Sequence, residues 1–308
     1  MDPRPVVIQT EHLSPAAAAW LAERAELVVA DPDEPAFADA APRCEGLVVR
    51  TYTQVDDALL RRLPRLRAVG RAGVGLDNID LRACEARGVR CFNTPDANTQ
   101  AVVEYVTCLL CDALRPRLFL DAPVTLRRWN ELRKDVVGRR QMDELTLGIL
   151  GMGRIGRRVA EVARAIGFRV RFNDLVDVPE ADRRGAEPVD VDRLFATCEV
   201  ITVHIDGRPS NAGFVDASLI ARMRPGTVFI NTSRGSVVDH DALAAHLRAH
   251  PGSMALLDVH DPEPFDSTHP MLGLPNAHLA PHLASRTDTA MEAMSWVVRD
   301  VWDAIRPG

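Results

Sequence analysis

Leu147-Gly148-Ile149-Leu150-Gly151-Met152-Gly153-Arg154-Ile155-Gly156 is the stretch of this 308-residue chain whose reading decides the fold. The apolar run Thr146–Leu150 predicts a buried strand and the amphipathic run Arg154–Ile166 predicts a helix, so a G-x-G-x-x-G falls on the turn between them. Gly151 permits the tight strand-to-helix turn. Gly153 lets the backbone approach a pyrophosphate with no Cβ in the way, and Gly156 allows close packing of helix on strand. The helix start then offers its free N–H groups and partial positive charge to the phosphates. Asp174 closes the next predicted strand, Phe168–Asn173, 23 residues after Gly151. An acid there accepts hydrogen bonds from the adenosine ribose and repels a 2′-phosphate. Leu175 and Val176 follow it, where a 2′-phosphate would call for basic residues, so NAD(H) is expected over NADP(H).

Working outward, the same alternation continues on both sides. Downstream strands are predicted at Val200–His204, Val228–Asn231, Met254–Asp258 and Ala277–Ala280. Helices are predicted at Val191–Cys198, Ala217–Met223, Asp241–Ala249 and Asp288–Ile305, with Asp216 and Asp239 where N-caps belong. Upstream lies a complete second series. Its strands are Val6–Gln9, Leu27–Ala30, Gly46–Arg50, Leu66–Gly70 and Val89–Phe92, and its helices start at Ser14-Pro15, Asp57 and Leu81. Strand–helix alternation of this kind implies mostly parallel sheets covered on both faces. The fold class is therefore α/β, with two doubly wound parallel-sheet domains of the Rossmann or flavodoxin-like kind. A long helix, Thr99–Leu114, lies between the two series. Its Cys108-x-x-Cys111 is read as core packing, because no helix N-terminus or zinc partner set accompanies it. The polar segment Trp129–Asp143, with its arginines and Lys134, is read as a solvated connection, or as a source of cations for an anionic substrate.

Composition narrows the function. A formal net charge of −6 argues against a nucleic-acid partner. No apolar run approaches the ~18 residues that a spanning helix needs, so no membrane partner is expected. The start MDPRPVVIQT lacks a charged n-region followed by an apolar one, so no secretory signal is expected. Six scattered cysteines suit reduced thiols in a cytoplasmic protein, and no metal site is expected.

Three further stretches each follow a predicted strand of the second series. They are Asn231-Thr232-Ser233-Arg234-Gly235, Leu257-Asp258-Val259-His260-Asp261-Pro262-Glu263-Pro264, and Ala280-Pro281-His282-Leu283. Ligands of open α/β sheets bind at that strand edge. Arginine, glutamate and histidine together there point to acid–base chemistry on an anionic substrate.

With these stretches in hand, the chain resembles the D-isomer-specific 2-hydroxyacid dehydrogenases, and their phosphoglycerate dehydrogenase branch in particular. The resemblance runs through Gly70-Arg71-Ala72-Gly73-Val74-Gly75-Leu76-Asp77-Asn78-Ile79-Asp80, then Asn93-Thr94-Pro95 with Asn98, Gly151–Gly156, Asn231–Gly235, Leu257–Pro264 and Pro281-His282. It implies that Arg234 binds the substrate carboxylate and polarises the C2 carbonyl, a planar recognition that suits a guanidinium fork. It implies that His282 is the general acid in reduction and the base in oxidation, paired with Glu263. Asp258 matches the position that contacts the nicotinamide carboxamide. Arg154, Ile155, His204, Thr232 and Ser233 match positions that line the cofactor. Val74 and Gly75 resemble the loop whose amides receive the carboxylate, and Arg50 is a further anion contact. The resemblance also implies a split substrate domain, residues 1–98 plus 286–308, with an NAD-binding Rossmann domain, 99–285, inserted into it. A cleft between the two would close over the substrate, and a homodimer would form through the cofactor domain.

The implied reaction is hydride transfer between nicotinamide and C2 of a small D-2-hydroxy or 2-oxo acid, with 3-phosphoglycerate as the leading candidate. Hydroxypyruvate or glyoxylate reduction, a phosphonate- or phosphite-type dehydrogenase, and an NAD(H)-sensing corepressor-like protein are the alternatives. The sequence departs from the family pattern in three places. His260 stands where phenylalanine or tyrosine is common, Ala280 where threonine is common, and Ile205-Asp206-Gly207 replaces a proline-containing turn. The chain stops soon after its last helix, so feedback through the extra C-terminal regulatory domain of longer relatives is not expected.

Overall fold

The computed structural model describes residues 4–306, so Met1–Pro3 of the N-terminal stretch lie outside the described residues. The chain divides into two compact units. One runs to Ala101 and resumes at Ser285; the other is Val102–Ala284.

The first unit is built on five parallel strands: β1 (Val6–Gln9), β2 (Glu26–Val29), β3 (Cys44–Val49), β4 (Ala68–Arg71) and β5 (Arg90–Asn93). Their order in the sheet is β2-β1-β3-β4-β5. Alternate side chains leave a strand on opposite faces, and both faces here are buried. Val6, Ile8, Leu47, Val49 and Val69 pack with Phe37, Leu59 and Leu60 on one side. Val7, Val48 and Ala68 pack with Leu21, Val297 and Val301 on the other. The returning C-terminal segment thus completes this unit's core.

The second unit carries seven parallel strands: β6 (Thr146–Leu150), β7 (Arg169–Asn173), β8 (Glu187–Pro188), β9 (Val200–Val203), β10 (Val228–Asn231), β11 (Met254–Leu257) and β12 (Ala277–Leu279). Their order is β12-β11-β10-β9-β6-β7-β8. The chain moves outward from β6 through β7 and β8, then returns to β9 on the other side of β6. That reversal creates a switch point between β6 and β9, the crevice where doubly wound sheets take ligands. Leu147 and Ile149 pack against Val106, Val159 and Ala160 on one face. Leu150, Ile201, Val203 and Phe229 pack with Phe195 and Leu243 on the other.

Apart from β8, which the sequence reading did not expect, the strands lie within two residues of their expected ends, and Ser14, Asp216 and Asp239 cap helices as expected. Four expectations need correction. The last helix is two, Asp288–Ser295 and Val298–Ile305. The buried Ser295 hydroxyl donates back to Met291 O at 2.7 Å and accepts the Ser14 amide at 2.9 Å, at the point where the first of them ends. The predicted helix Ala217–Met223 stops at Ile220. The polar connection contains a helix, Leu126–Asp135, with no buried residue. Thr125 caps its start and an Arg127–Glu131 pair one turn apart supports it. Cys108 is exposed and Cys111 half-buried, not core. The helix Thr99–Leu114 turns Val102, Val103, Val106 and Leu110 inward, which puts Cys108 on the opposite side. A short helix, Pro35–Ala40, lies where the sequence reading placed none.

Two glycines let the C-terminal helix lie on the first sheet. A Cβ at Gly70 would come 2.5 Å from Val301 Cγ2, and one at Gly46 would come 2.8 Å from Val301 Cγ1. Gly70→Ala is therefore expected to cost about 1–3 kcal/mol through overpacking. Adding Val301→Ala should return part of that, read as the urea midpoint of the double variant against each single one. An unshifted midpoint in Gly70→Ala would show that the helix yields freely.

Candidate active site

In a parallel sheet all strands deliver their C-terminal residues to one edge. In the second unit that edge receives Gly151 from β6, Asp174 from β7, His204 from β9, Thr232–Arg234 from β10, Asp258 from β11 and His282 from β12.

The glycine turn comes first. Gly151 has φ +96°, and a Cβ on it would meet the His204 carbonyl at 2.8 Å, so the turn presses against the end of β9. A Cβ on Gly156 would lie 2.0 Å from Gly151 O, so the helix Arg154–Ala165 seats directly on the turn. Gly153 differs from both. Its φ is −73°, and a Cβ there would meet nothing within 4 Å. Neither backbone conformation nor packing within the chain demands glycine at 153, whereas a ligand lying against the turn would. The helix that follows has no side-chain cap, whereas those starting after Asp56, Asp190 and Asp239 do. A helix start without a side-chain cap is the kind that receives phosphate oxygens. Asp174 accepts the Met152 amide at 2.6 Å and the Val176 amide at 3.1 Å, which fixes its carboxylate beside the turn. Leu175 and Val176 are exposed next to it. The Thr232 hydroxyl oxygen is buried with no partner, an unsatisfied group at the same strand edge. Together these features fit a bound dinucleotide. The His204 ring bonds Thr202 Oγ1 at 3.0 Å, and its burial pushes its pKa down to about 3, so it stays neutral.

The loop after β10 is shaped by Asn231, a fully buried side chain to which the sequence reading gave no role. Its Nδ2 donates to Arg234 O at 2.9 Å, and its Oδ1 accepts the Ser233 amide at 3.0 Å and the Ser233 hydroxyl at 2.8 Å. Arg234 is half-buried and its guanidinium donates to Ser233 O at 2.7 Å. A Cβ on Gly235 would lie 1.9 Å from the carbonyl carbon of His260, so only glycine lets the Arg234 loop abut the next one.

That next loop carries Glu263, whose two oxygens have separate tasks. Oε1 accepts the His260 amide at 2.8 Å, and Oε2 accepts the His282 Nδ1 proton at 2.8 Å. Burial pushes the Glu263 carboxyl up, but its bonds to His282 and His260 outweigh that and hold it below its ordinary value. With Nδ1 committed, Nε2 is the His282 nitrogen that can exchange a proton. The His260 ring donates from Nε2 to Ala280 O at 2.9 Å and stacks edge-on against Phe265. One residue thereby ties the Glu263 loop to the strand that leads into His282.

His282 itself has φ +55°, a left-handed conformation that side-chain-bearing residues seldom adopt. Asp258 supports it. The Asp258 carbonyl accepts the His282 amide at 2.9 Å, and the carboxylate accepts Leu283 N at 2.7 Å and Ala284 N at 2.8 Å. At 1% exposure this carboxylate is buried, and burial raises its pKa despite those two amides. Tyr105 faces it from the long helix, and its phenol is pushed up to about 12, first by burial and then by Asp258. Nothing in the sequence pairs Tyr105 with Asp258; the contact comes from packing across elements distant in the chain.

Three of the residues expected at the site lie in the first unit. Arg50 follows β3, and Val74 and Gly75 form the half-buried turn after β4. The Val74 carbonyl accepts the Asn93 side-chain amide at 2.6 Å, and Gly73 takes φ +155° with the Arg71 guanidinium against it. Among the described residues, no group of three or more His, Cys, Asp or Glu is placed to hold a metal ion, and no helix is long and apolar enough to cross a membrane.

Comparison with known proteins places this geometry. Residues 107–284 match the family model described as D-isomer specific 2-hydroxyacid dehydrogenase, NAD binding domain. The chain is 34% identical over 98% of its length to D-3-phosphoglycerate dehydrogenase of Mycobacterium tuberculosis, of which it spans 56%, about half of that relative. It is 34% identical over 83% of its length to (S)-sulfolactate dehydrogenase of Chromohalobacter salexigens, covering 82% of that protein. Among solved structures, a glyoxylate reductase from Paecilomyes thermophila superposes with a TM-score of 0.83 at 26% identity, covering 100% of this chain and 97% of that one. By its family model and its 34% identity to a relative of which it covers 82%, the chain belongs to the D-isomer specific 2-hydroxyacid dehydrogenase family.

Proposed function

We propose that this protein is an NAD(H)-dependent dehydrogenase of D-2-hydroxy acids, and that its substrate carries a second anionic group on C3, with 3-phosphoglycerate the first candidate. The observation that carries the activity is the Glu263–His282 pair at 2.8 Å, held at the strand edge that also carries the glycine turn. The substrate class is supported by relatives named for phosphoglycerate and sulfolactate, both doubly anionic acids, and by the half-buried Arg50.

In this reading Gly151, Gly153, Arg154, Ile155 and Gly156 hold the pyrophosphate and Asp174 the adenosine ribose. His204, Thr232, Ser233 and Asp258 line the rest of the cofactor. When bound, NAD(H) supplies the hydride that passes between nicotinamide C4 and substrate C2. Arg234 clamps the substrate carboxylate and draws charge from the C2 carbonyl oxygen. His282 Nε2 gives that oxygen its proton in reduction and takes it back in oxidation. Glu263 keeps Nδ1 protonated, which fixes the ring and stabilises the imidazolium. Arg50, Val74 and Gly75 are the acid-binding groups of the first unit. That unit serves as the substrate domain and the second as the cofactor domain. The reading extends to a homodimer, supported by the exposed apolar side chains Leu118, Phe119, Leu120, Leu126, Trp129 and Val137, and to a cytoplasmic location, supported by six free cysteines.

NADH oxidation against phosphohydroxypyruvate, hydroxypyruvate, glyoxylate, pyruvate and bulkier 2-oxo acids tests the activity. Phosphohydroxypyruvate is expected to lead, and Arg234→Ala to lose about 100-fold or more in kcat/KM while NADH affinity holds. Loss of NADH binding in that variant would reject the carboxylate role. NADH titration of two glycine variants tests the cofactor site. Gly153→Ala should melt like the wild type yet bind NADH weakly, whereas Gly156→Ala should melt earlier. Equal NADH affinity in Gly153→Ala and wild type removes the pyrophosphate from that turn. For the acid–base pair, Glu263→Gln should lower kcat about tenfold or more while NADH affinity holds, because the ring loses the carboxylate that fixes its Nδ1. An unchanged kcat would mean that Glu263 does not orient His282 for proton transfer.

A further inference from the structure

We propose that Glu11 holds Arg50 in position by filling, with its own carboxylate, an oxyanion nest at the switch point of the first unit's sheet. β1 and β3 lie side by side, with β2 beyond β1 and β4 beyond β3. The crevice past such strand ends is where open parallel sheets receive ligands. Four successive amides, from Arg50 to Thr53, converge there. The amides of Arg50 and Thr53 each donate to Glu11 Oε1 at 3.0 Å, and that of Thr51 donates to Oε2 at 2.8 Å. The Tyr52 amide donates to both oxygens, at 3.1 and 3.2 Å. Consecutive backbone N–H groups turned to one point form an anion-binding concavity, and charge-assisted bonds of this kind are the strong ones. Burial raises the Glu11 carboxyl, but the amides more than reverse this and hold it below its ordinary value.

The loop is pinned from its other side as well. Asn78 Nδ2 donates to Arg50 O at 3.2 Å and to Thr53 O at 2.7 Å, and Arg71 Nε donates to Arg50 O at 3.0 Å. The Thr10 and Thr53 hydroxyls meet at 2.7 Å. Both peptide groups flanking Arg50 are thereby fixed, and its guanidinium reaches His12 O at 3.4 Å and Met291 Sδ at 3.0 Å. Both Glu11 carboxylate oxygens are spent on the backbone amides of this loop. Glu11 is a positioning residue, and its effect on turnover rests on the reading above that Arg50 contacts the acid's second anion.

Glu11→Gln and Glu11→Ala test this, with KM for phosphohydroxypyruvate and kcat measured at saturating NADH and melting temperature read alongside. In both variants KM should rise about tenfold, the size of one lost charge-assisted bond, with kcat within about twofold of wild type. Glu11→Ala leaves an unfilled nest, so formate should lower its KM and raise its melting temperature while an equal concentration of chloride does neither. Asp31, Asp33 and Asp56 line the cavity beside Glu11 together with Arg62, so the rescuing anion must be small, and formate is chosen over phosphate. A free anion also lacks the tether, whose effective concentration is of millimolar order, so rescue should grow through that range. An unchanged KM in both variants overturns the proposal, as does a Glu11→Ala protein whose KM and melting temperature both ignore formate. Should Glu11→Ala fail to fold, the Glu11→Gln KM decides alone. Should the wild type turn over no acid, the dehydrogenase reading fails while the formate-dependent melt of Glu11→Ala still decides the nest.

Discussion

The buried carboxylate of Asp258 is the constraint on which the rest of the second unit's strand edge depends. A histidine in the left-handed region does not stay there by itself. Here three successive amides, those of His282, Leu283 and Ala284, are taken by the carbonyl and both carboxylate oxygens of one residue. That fixes the loop in an otherwise disfavoured shape and delivers the His282 ring to Glu263. Glu263 is held in turn by the His260 amide, and the His260 ring reaches back to Ala280. The Glu263–His282 pair is thus the half-buried end of a closed circuit of hydrogen bonds running from Asp258 through Glu263 and back to the end of β12.

The glycines act as spacers for this circuit. Gly151, Gly156 and Gly235 each stand where a Cβ would strike backbone of a neighbouring segment, and each brings two loops of the strand edge into contact. Gly153 belongs to another class, because nothing of the chain lies before it. Separating glycines that the fold needs from the one that it does not need is what distinguishes a ligand cradle from an ordinary tight turn.

The alternation of strands and helices was legible in sequence, in β-branched runs, acids at caps and glycines at the turn after β6; the order of the strands within each sheet was not, because it is set by packing between distant segments. The Glu263–His282 contact was legible only through the ordered set of motifs that resembles the family, since no spacing places residues 19 apart at 2.8 Å. What stayed hidden has a common cause. Asn231, Tyr105 and Glu11 act through backbone groups or across elements far apart in the chain, and no residue type announces such a partner. The exposed helix Leu126–Asp135 was hidden for a different reason. It buries no side chain, so it shows no apolar period to read, and its cap and one ion pair are local signals too weak to stand out.

Glu11 and Asp258 are the same device with opposite energetics. Each is a half-buried or buried carboxylate that gathers successive amides past a strand end. Four amides outweigh burial at Glu11, so its folded pKa is depressed. Its contribution to stability is present above the unfolded pKa and is lost as pH falls through the folded one. At Asp258 burial outweighs two amides, so its folded pKa is raised. The sign reverses: near neutral pH the charged form costs stability, and that cost is relieved as pH falls through the folded value. A buried carboxylate whose pKa is raised, next to a histidine in a disfavoured backbone conformation, is what a site that stores strain for function looks like. Glu11 stabilises the unit it belongs to, whereas Asp258 is carried by its unit for the geometry that it imposes on His282.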